Sequence, residues 1–200
     1  DKGIEIKVYA GEELRVNFMI SSFEEDTYAM LLDEEKKLYS IYIPGFFVPI
    51  RDLFDINEQE WRNKTVMRTS WRSMKSLDLE YSQNPQSDLH IEYDSIFYKI
   101  QNVASLDTAR LYSYIQNNYT AFRVESFLDN KNLQDSLQKE KPFCTIKLRD
   151  LDPKNNNTLK IYQVNHQPYG ILENPSLLLA LDPRNMGAIL LSPRDFIVNK

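Results

Sequence analysis

Hydrophobic and polar positions alternate with a period of two at both ends of the chain, and follow a helical period only in the middle. Ile4, Ile6 and Val8 interleave with Glu5 and Lys7, and Leu14, Val16 and Phe18 alternate again after the turn Ala10-Gly11-Glu12-Glu13, which predicts a β-hairpin. Thr27–Leu32 and Leu38–Ile43 predict two more strands, with Ser21–Asp26 as a polar loop, Asp33-Glu34-Glu35-Lys36-Lys37 as a charged turn and Pro44-Gly45 as a stop. The first block is thus expected to be a four-stranded meander. Two short helices are expected next. One is Val48–Phe54; the other is capped by Asn57, with Glu58 and Glu60 suited to the positive end of its dipole.

Residues 75–81, 89–93 and 96–100 predict three strands, the first two separated by Asn84-Pro85-Gln86-Ser87. The helical period occupies 105–128, where Leu111, Tyr114, Ile115, Asn118 and Tyr119 share one stripe and Asp107 or Ser105 can cap the start. A weaker helix, 130–140, carries Leu133 and Leu137 and stops at Pro142. Alternation returns at Cys144, Ile146 and Leu148. An Asp/Asn-rich turn over 150–157 then leads to a strand at Leu159–Gln163. His166–Pro175 reads as an irregular loop, Ser176–Leu181 as an apolar strand, Asp182–Asn185 as a turn and Gly187–Leu191 as the closing strand.

The two β blocks match in order. Ile6-Lys7-Val8 parallels Ile146-Lys147-Leu148, Leu14-Arg15-Val16 parallels Leu159-Lys160-Ile161, Leu32-Asp33 parallels Leu181-Asp182, and Ile41–Phe46 parallels Ile189–Phe196. The expected fold is α+β: two antiparallel meander-type β units, with an internal duplication in view, joined by helices. The expected division is 1–66, the first β unit with its short helices, and 67–200, a second α+β unit holding the central helix and the C-terminal meander. Alternation shared by any two meanders is the plainer account of the match.

The 200 residues are 42% apolar and 26% charged, with 5 glycines, 12 tyrosines, 10 phenylalanines and one cysteine. This excludes a disordered tail, a collagen-like chain, a disulfide scaffold and a cysteine-based zinc site. Charge divides unevenly: residues 1–60 carry 14 acids and 6 bases, net −8, while 61–200 carry 15 acids and 18 bases, net +3. An acidic front end argues against a nucleic-acid binder, which needs a basic footprint. Asp1-Lys2-Gly3-Ile4 has no apolar signal-peptide core behind it, and the strand pattern starts almost at once, as expected of a piece cut from a longer protein.

Asp26-Thr27-Tyr28-Ala29-Met30-Leu31, Ile43-Pro44-Gly45-Phe46, Trp61-Arg62, Leu181-Asp182-Pro183-Arg184 and Asp195-Phe196-Ile197-Val198 together resemble the domain-of-unknown-function family 4340. Its members are bacterial, occur largely in envelope proteins, and often follow one membrane-spanning helix with a domain outside the cytoplasm. Some are similar in genomic setting to gliding-type ABC transport components. The resemblance covers most of the chain and contains no catalytic signature. Members often have Gly before the Thr-Tyr pair, where this chain has Asp26. The resemblance implies an extracytoplasmic location in the periplasm or envelope, an anchor outside this chain and an envelope protein as partner.

Candidate chemistry is sparse. His90 sits in an expected strand and His166 in an expected loop, and neither has metal-ligand spacing. No nucleophile elbow exists, and Cys144 alternates with Ile146 and Leu148 as a buried structural cysteine would. The 150–157 turn lacks the glycine and closing glutamate of a calcium loop. Residues 61–77 are distinctive: Arg62, Lys64, Arg68, Arg72 and Lys75 fall between Glu60 and Asp78 with no acid among them, interleaved with Trp61 and Trp71. Such a stretch binds anionic groups or a partner protein, or it balances the acidic front end with both rings in the core. Tyr9, Tyr28, Tyr39, Tyr42, Tyr81, Tyr93 and Tyr98 fall in strands, where they pack or form an exposed row.

The expectation is a non-enzymatic module acting by protein–protein contact, without cofactor, catalytic residue or metal. Its interaction surface would be drawn from Arg62, Lys64, Arg68, Trp71, Arg72, His166 and Tyr169. A glycan- or peptide-binding domain using Tyr and Trp is the alternative, favoured by an aromatic-lined pocket. A hydrolase with an unrecognised carboxylate pair is the third reading, favoured by a deep cleft holding two carboxyls.

Overall fold

The computed structural model describes residues 3–24, 26–32, 36–45 and 48–198. It is α+β, with antiparallel sheets, and divides into two compact units at Arg62/Asn63, four residues ahead of the boundary expected from sequence.

Unit 1 (1–62) holds β1 (Ile4–Ala10), β2 (Glu13–Phe23), β3 (Asp26–Leu31) and β4 (Leu38–Ile41), paired in that order as the expected meander. The hairpin ends at Gly11, which takes φ +65° with open space beside it. Ser21–Phe23, expected as loop, belongs to β2, because Ser21 and Ser22 pair with Tyr28 and Thr27 and extend the ladder. Register gathers the apolar side chains on one face, in rows Ile4–Ile20–Ala29–Tyr39, Ile6–Phe18–Leu31 and Val8–Val16. A 3-10 turn, Ile50–Leu53, replaces the first expected helix, and α1 (Glu58–Trp61) follows. Asn57 caps α1, with reciprocal bonds between Asn57 and Glu60. The connecting segment covers the middle of the apolar face. The Ile50 N–H donates to Thr27 Oγ1 (3.2 Å), and Phe54 sets its ring edge-on to Phe18 at 6.2 Å. The turn residues Asp33, Glu34 and Glu35, and Glu25 in the acidic loop, lie outside the described residues, as do Phe46 and Phe47.

Unit 2 (63–200) runs β5 (Thr65–Met67), β6 (Met74–Tyr81), β7 (Leu89–Asp94), β8 (Phe97–Ile100), α2 (Thr108–Tyr119), β9 (Phe122–Arg123), β10 (Ser126–Leu128), α3 (Lys131–Gln138), β11 (Cys144–Asp150), β12 (Asn157–Val164), β13 (Gln167–Leu172), β14 (Leu177–Ala180) and α4 (Pro183–Ile189). Eight strands form one antiparallel sheet, ordered β10-β14-β13-β12-β11-β6-β7-β8, and β5 pairs with β9. One sheet face carries Leu77, Leu79, Ile91, Ile146, Leu148, Leu159 and Ile161, which join Leu111, Ile115 and Tyr119 of α2 and Phe196 in the main core. On the other face, α3 seats Leu133 and Leu137 over Tyr162, Ile171 and Leu178. The rest of that face is charged and wet: Lys147 pairs with Glu80, Asp78 with His90, and Lys99 with Glu92.

Three expectations over this unit fail for identifiable reasons. The 105–128 helix stops at Tyr119, because Phe122 pairs with β5 and Phe127 with β14, in two short strands that a continued helix would not allow. The expected loop 166–175 contains β13. Asn165 and His166 both take positive φ (50° and 67°) in a two-residue turn, and Val164 pairs with Gln167 across it. Pro168 and Gly170 read as strand breakers, yet Gly170 is needed there: a Cβ would come within 2.9 Å of Leu159 Cδ1. The expected closing strand Gly187–Leu191 is mostly α4, since Asp182 caps Arg184 N and Pro183 takes the first helical position.

The structure does not establish the repeat. Leu181 follows the fourth strand of its meander whereas Leu32 follows the third, and Ile189 ends a helix whereas Ile41 ends a strand. The two units share a meander order, and the four matched segments do not occupy equivalent elements.

Candidate functional site

Two adjoining hollows, of about 280 and 420 Å³, run along unit 2 beside α4 and share Tyr81, Phe143 and Leu190. The Tyr81 and Phe143 rings meet edge-on at 6.1 Å. The Tyr81 hydroxyl donates to the Leu191 carbonyl at 3.0 Å, and burial, with smaller contributions from nearby groups including Asp195, holds that phenol far above its usual range. Gln163 and His166 stand at one end of the groove, Ser192 and Asp195 at the other. Asp195 is occupied as a cap: one carboxylate oxygen accepts from both Ser192 N and Ser192 Oγ at 2.8 Å. It is the one carboxylate among the described residues lining the groove, so the spaced pair a glycosidase requires does not assemble there.

A hollow of about 580 Å³ on the charged face holds Asp78, His90, Glu92 and Lys99. Asp78 and His90 are directly opposite across β6 and β7, which puts His90 Nδ1 3.1 Å from Asp78 Oδ1. This is the orienting half of an acid–base pair, but no hydroxyl or thiol side chain is among the described residues lining the hollow. Among the described residues no three His, Cys, Asp or Glu groups converge as metal ligands.

Cys144 is fully buried on the core face of β11, and burial, reinforced by the nearby Asp88 and Glu80 charges, pushes its thiol up to about 12. Register places His90 on the opposite face of the sheet, so the two form no dyad.

The seven expected surface residues scatter. Arg62 follows α1 at the end of unit 1, exposed. Lys64 is half-buried, and its carbonyl accepts from Val124 N. Trp71 packs against the core, edge-on to Tyr112 at 5.8 Å, with the Arg72 guanidinium 5.0 Å from its ring centre. Trp61 is 60% exposed and touches Phe54, so the expectation of both tryptophans in the core fails for this one. His166 is an exposed turn residue, while Tyr169 packs against the α3 cluster. Arg68 is exposed and lines a polar hollow with Lys154. The tyrosines form no single row: Tyr9, Tyr39, Tyr42 and Tyr93 are exposed, whereas Tyr98 is buried and donates to the Trp71 and Met74 carbonyls.

Sequence reasoning passed over Asp150, taken as a turn residue. It is 1% exposed and accepts hydrogen bonds from Thr69 Oγ1, Asp152 N and Asn155 Nδ2. Burial raises its carboxyl, but the bonds from Thr69, Asp152, Ser73 and Asn155 outweigh that and leave it below the ordinary carboxylate range. Its partners belong to one structural joint between the entry to β6 and the β11–β12 turn. The Tyr81–Phe143 groove was also missed, because its two rings are 62 positions apart and meet only through the β6–β11 pairing.

No protein-family model, curated protein or solved structure matches the chain. No helix of the described residues is long and apolar enough to cross a membrane.

Proposed function

We propose that the chain is a non-enzymatic module of a bacterial envelope protein, held outside the cytoplasm by a segment beyond this chain, and that it works by protein–protein contact with a transport- or gliding-type assembly. The observation that carries the contact is the uncovered end of the unit 1 sheet. Val8, Leu14 and Val16 are 41–45% exposed on or beside the apolar face, next to the part that Phe54 covers. A partner surface laid on these side chains removes apolar area from water at about 25 cal/mol per Å². The bacterial setting rests on the family resemblance.

The test is recovery of partners from membranes of the source organism, comparing the chain with a Val8→Asp/Val16→Asp variant. A protein retained by the first and lost with the second, while unit 2 unfolds at the same urea concentration, is the expected result. Equal recovery by both would sink the reading.

One observation favours a second reading, a peptide- or glycan-binding domain: the concave groove lined by Tyr81 and Phe143. Titration with a glycan and peptide panel, followed through Phe143→Ala, separates it from the first.

A further inference from the structure

We infer that unit 2 carries an oxyanion-binding site between the β5 strand and the β11–β12 turn. A polar hollow of about 270 Å³ opens there, walled by Arg68 and Lys154 with Asn63, Thr65, Asn155 and Asn157. No carboxylate is among the described residues that line it, and neither Arg68 nor Lys154 makes an ion pair with a described residue. The acids nearest in sequence are engaged elsewhere. Asp150 turns inward to Thr69, Asp152 N and Asn155, and Asp152 caps the 3-10 turn by accepting from Lys154 N at 3.0 Å. Two cationic side chains therefore line one small polar hollow, arginine with a planar fork and lysine with a point charge; the Asn155 and Asn157 carboxamides beside them are bonded to Asp150 and to Asn174 and Thr158, and shape its wall.

A separate hollow of about 190 Å³, lined by Lys147 and Arg149, shares Asn157 with it but opens on the other face of the sheet, because Leu148 pairs with Asn157 on the core face and Lys147 and Arg149 alternate away from it. Lys147 is held by Glu80, while Arg149 has no ion pair among the described residues. The first hollow therefore suits one small oxyanion held between Arg68 and Lys154. A phosphate group has that chemistry, and a space of about 270 Å³ admits a compact anion. The turn that supplies Lys154, Asn155 and Asn157 is fixed from behind by Asp150, so the site is built before any ligand arrives.

The test is titration of the full chain with inorganic phosphate and with pyrophosphate, followed by amide shifts in NMR and by calorimetry. Shifts confined to Arg68, Lys154, Asn155 and Asn157 are expected, with pyrophosphate, the more highly charged anion, binding more tightly than phosphate and Arg149, on the other sheet face, unshifted. Arg68→Gln and Lys154→Gln should each weaken pyrophosphate about tenfold and lower the salt dependence, whereas Lys131→Gln, on α3, should leave binding unchanged. Absence of binding at 10 mM pyrophosphate, or equal affinity in an Arg68→Gln/Lys154→Gln variant with unaltered urea unfolding, would overturn the proposal.

Discussion

The two units use sheets of the same antiparallel kind and close them differently. Among the described residues, 29 apolar side chains are buried, and 28 of them lie in unit 2; unit 1 contributes Ile20 alone. Of the 21 large apolar side chains that stay exposed, 13 lie in the 62 residues of unit 1. Unit 2 covers one sheet face with α2 and Phe196 and part of the other with α3, whereas the described residues of unit 1 cover its apolar face around Phe18 and Thr27. Strand pairing supplies a sheet; a second layer supplies stability. A sheet with half a layer is a surface with something left to bury.

Substitutions in the two units should separate accordingly. Phe196→Ala empties a fully buried site against the Tyr114 ring (5.2 Å) and should cost about 3–5 kcal/mol in urea unfolding of unit 2. A loss below about 1 kcal/mol would mean that the closed core of unit 2 is overstated. Asp150→Asn should cost about 1–3 kcal/mol, by weakening a buried, fully bonded acceptor. It should also flatten the acid limb of the stability curve. The folded carboxyl lies below its unfolded value, so the unfolded chain binds more protons; the stabilisation is present above about pH 4 and is lost as pH falls through the lowered folded value. A variant with the same acid limb would show that Asp150 does not carry this pH dependence.

In unit 1 the expected effects shrink. Asn57→Ala removes a capping box and should cost about 1 kcal/mol, read as local loss of amide protection around Glu60 with unit 2 untouched. Val16→Thr, on the uncovered end, should stay within about 0.5 kcal/mol. A large destabilisation by Val16→Thr would show that the face is covered in solution and would erase the contrast between the units.

Much of this organisation is legible along the chain. Period-two alternation located β1, β2, β6, β7, β11 and β12. The stripe Leu111, Tyr114, Ile115 and Tyr119 picked out the buried side of α2, and Asn57 and Asp107 were read as caps. The failures cluster where a distant partner overrides a local cue. Pro168 and Gly170 look like breakers until Leu159 Cδ1 is seen to occupy the space a Cβ at position 170 would take, and Asp182-Pro183 reads equally as a turn or as a helix start. The groove and the Arg68–Lys154 hollow were hidden for the same reason. Each joins residues tens of positions apart: the basic run around Arg68 and the Asn-rich 150–157 turn stand out singly, but nothing local announces that they meet.

The irregularity between Val8 and Tyr9 bears on self-association. No strand pairs with the outer edge of β1 among the described residues, and an unpaired edge beside an apolar face can recruit further copies without limit. At Val8/Tyr9 the pairing skips Arg15 of β2, an irregularity that increases local twist, and the Glu5–Lys7 pair (3.2 Å) puts opposite charges on β1. Both features disfavour a further strand adding edge to edge, so a contact on the apolar face does not by itself seed fibres.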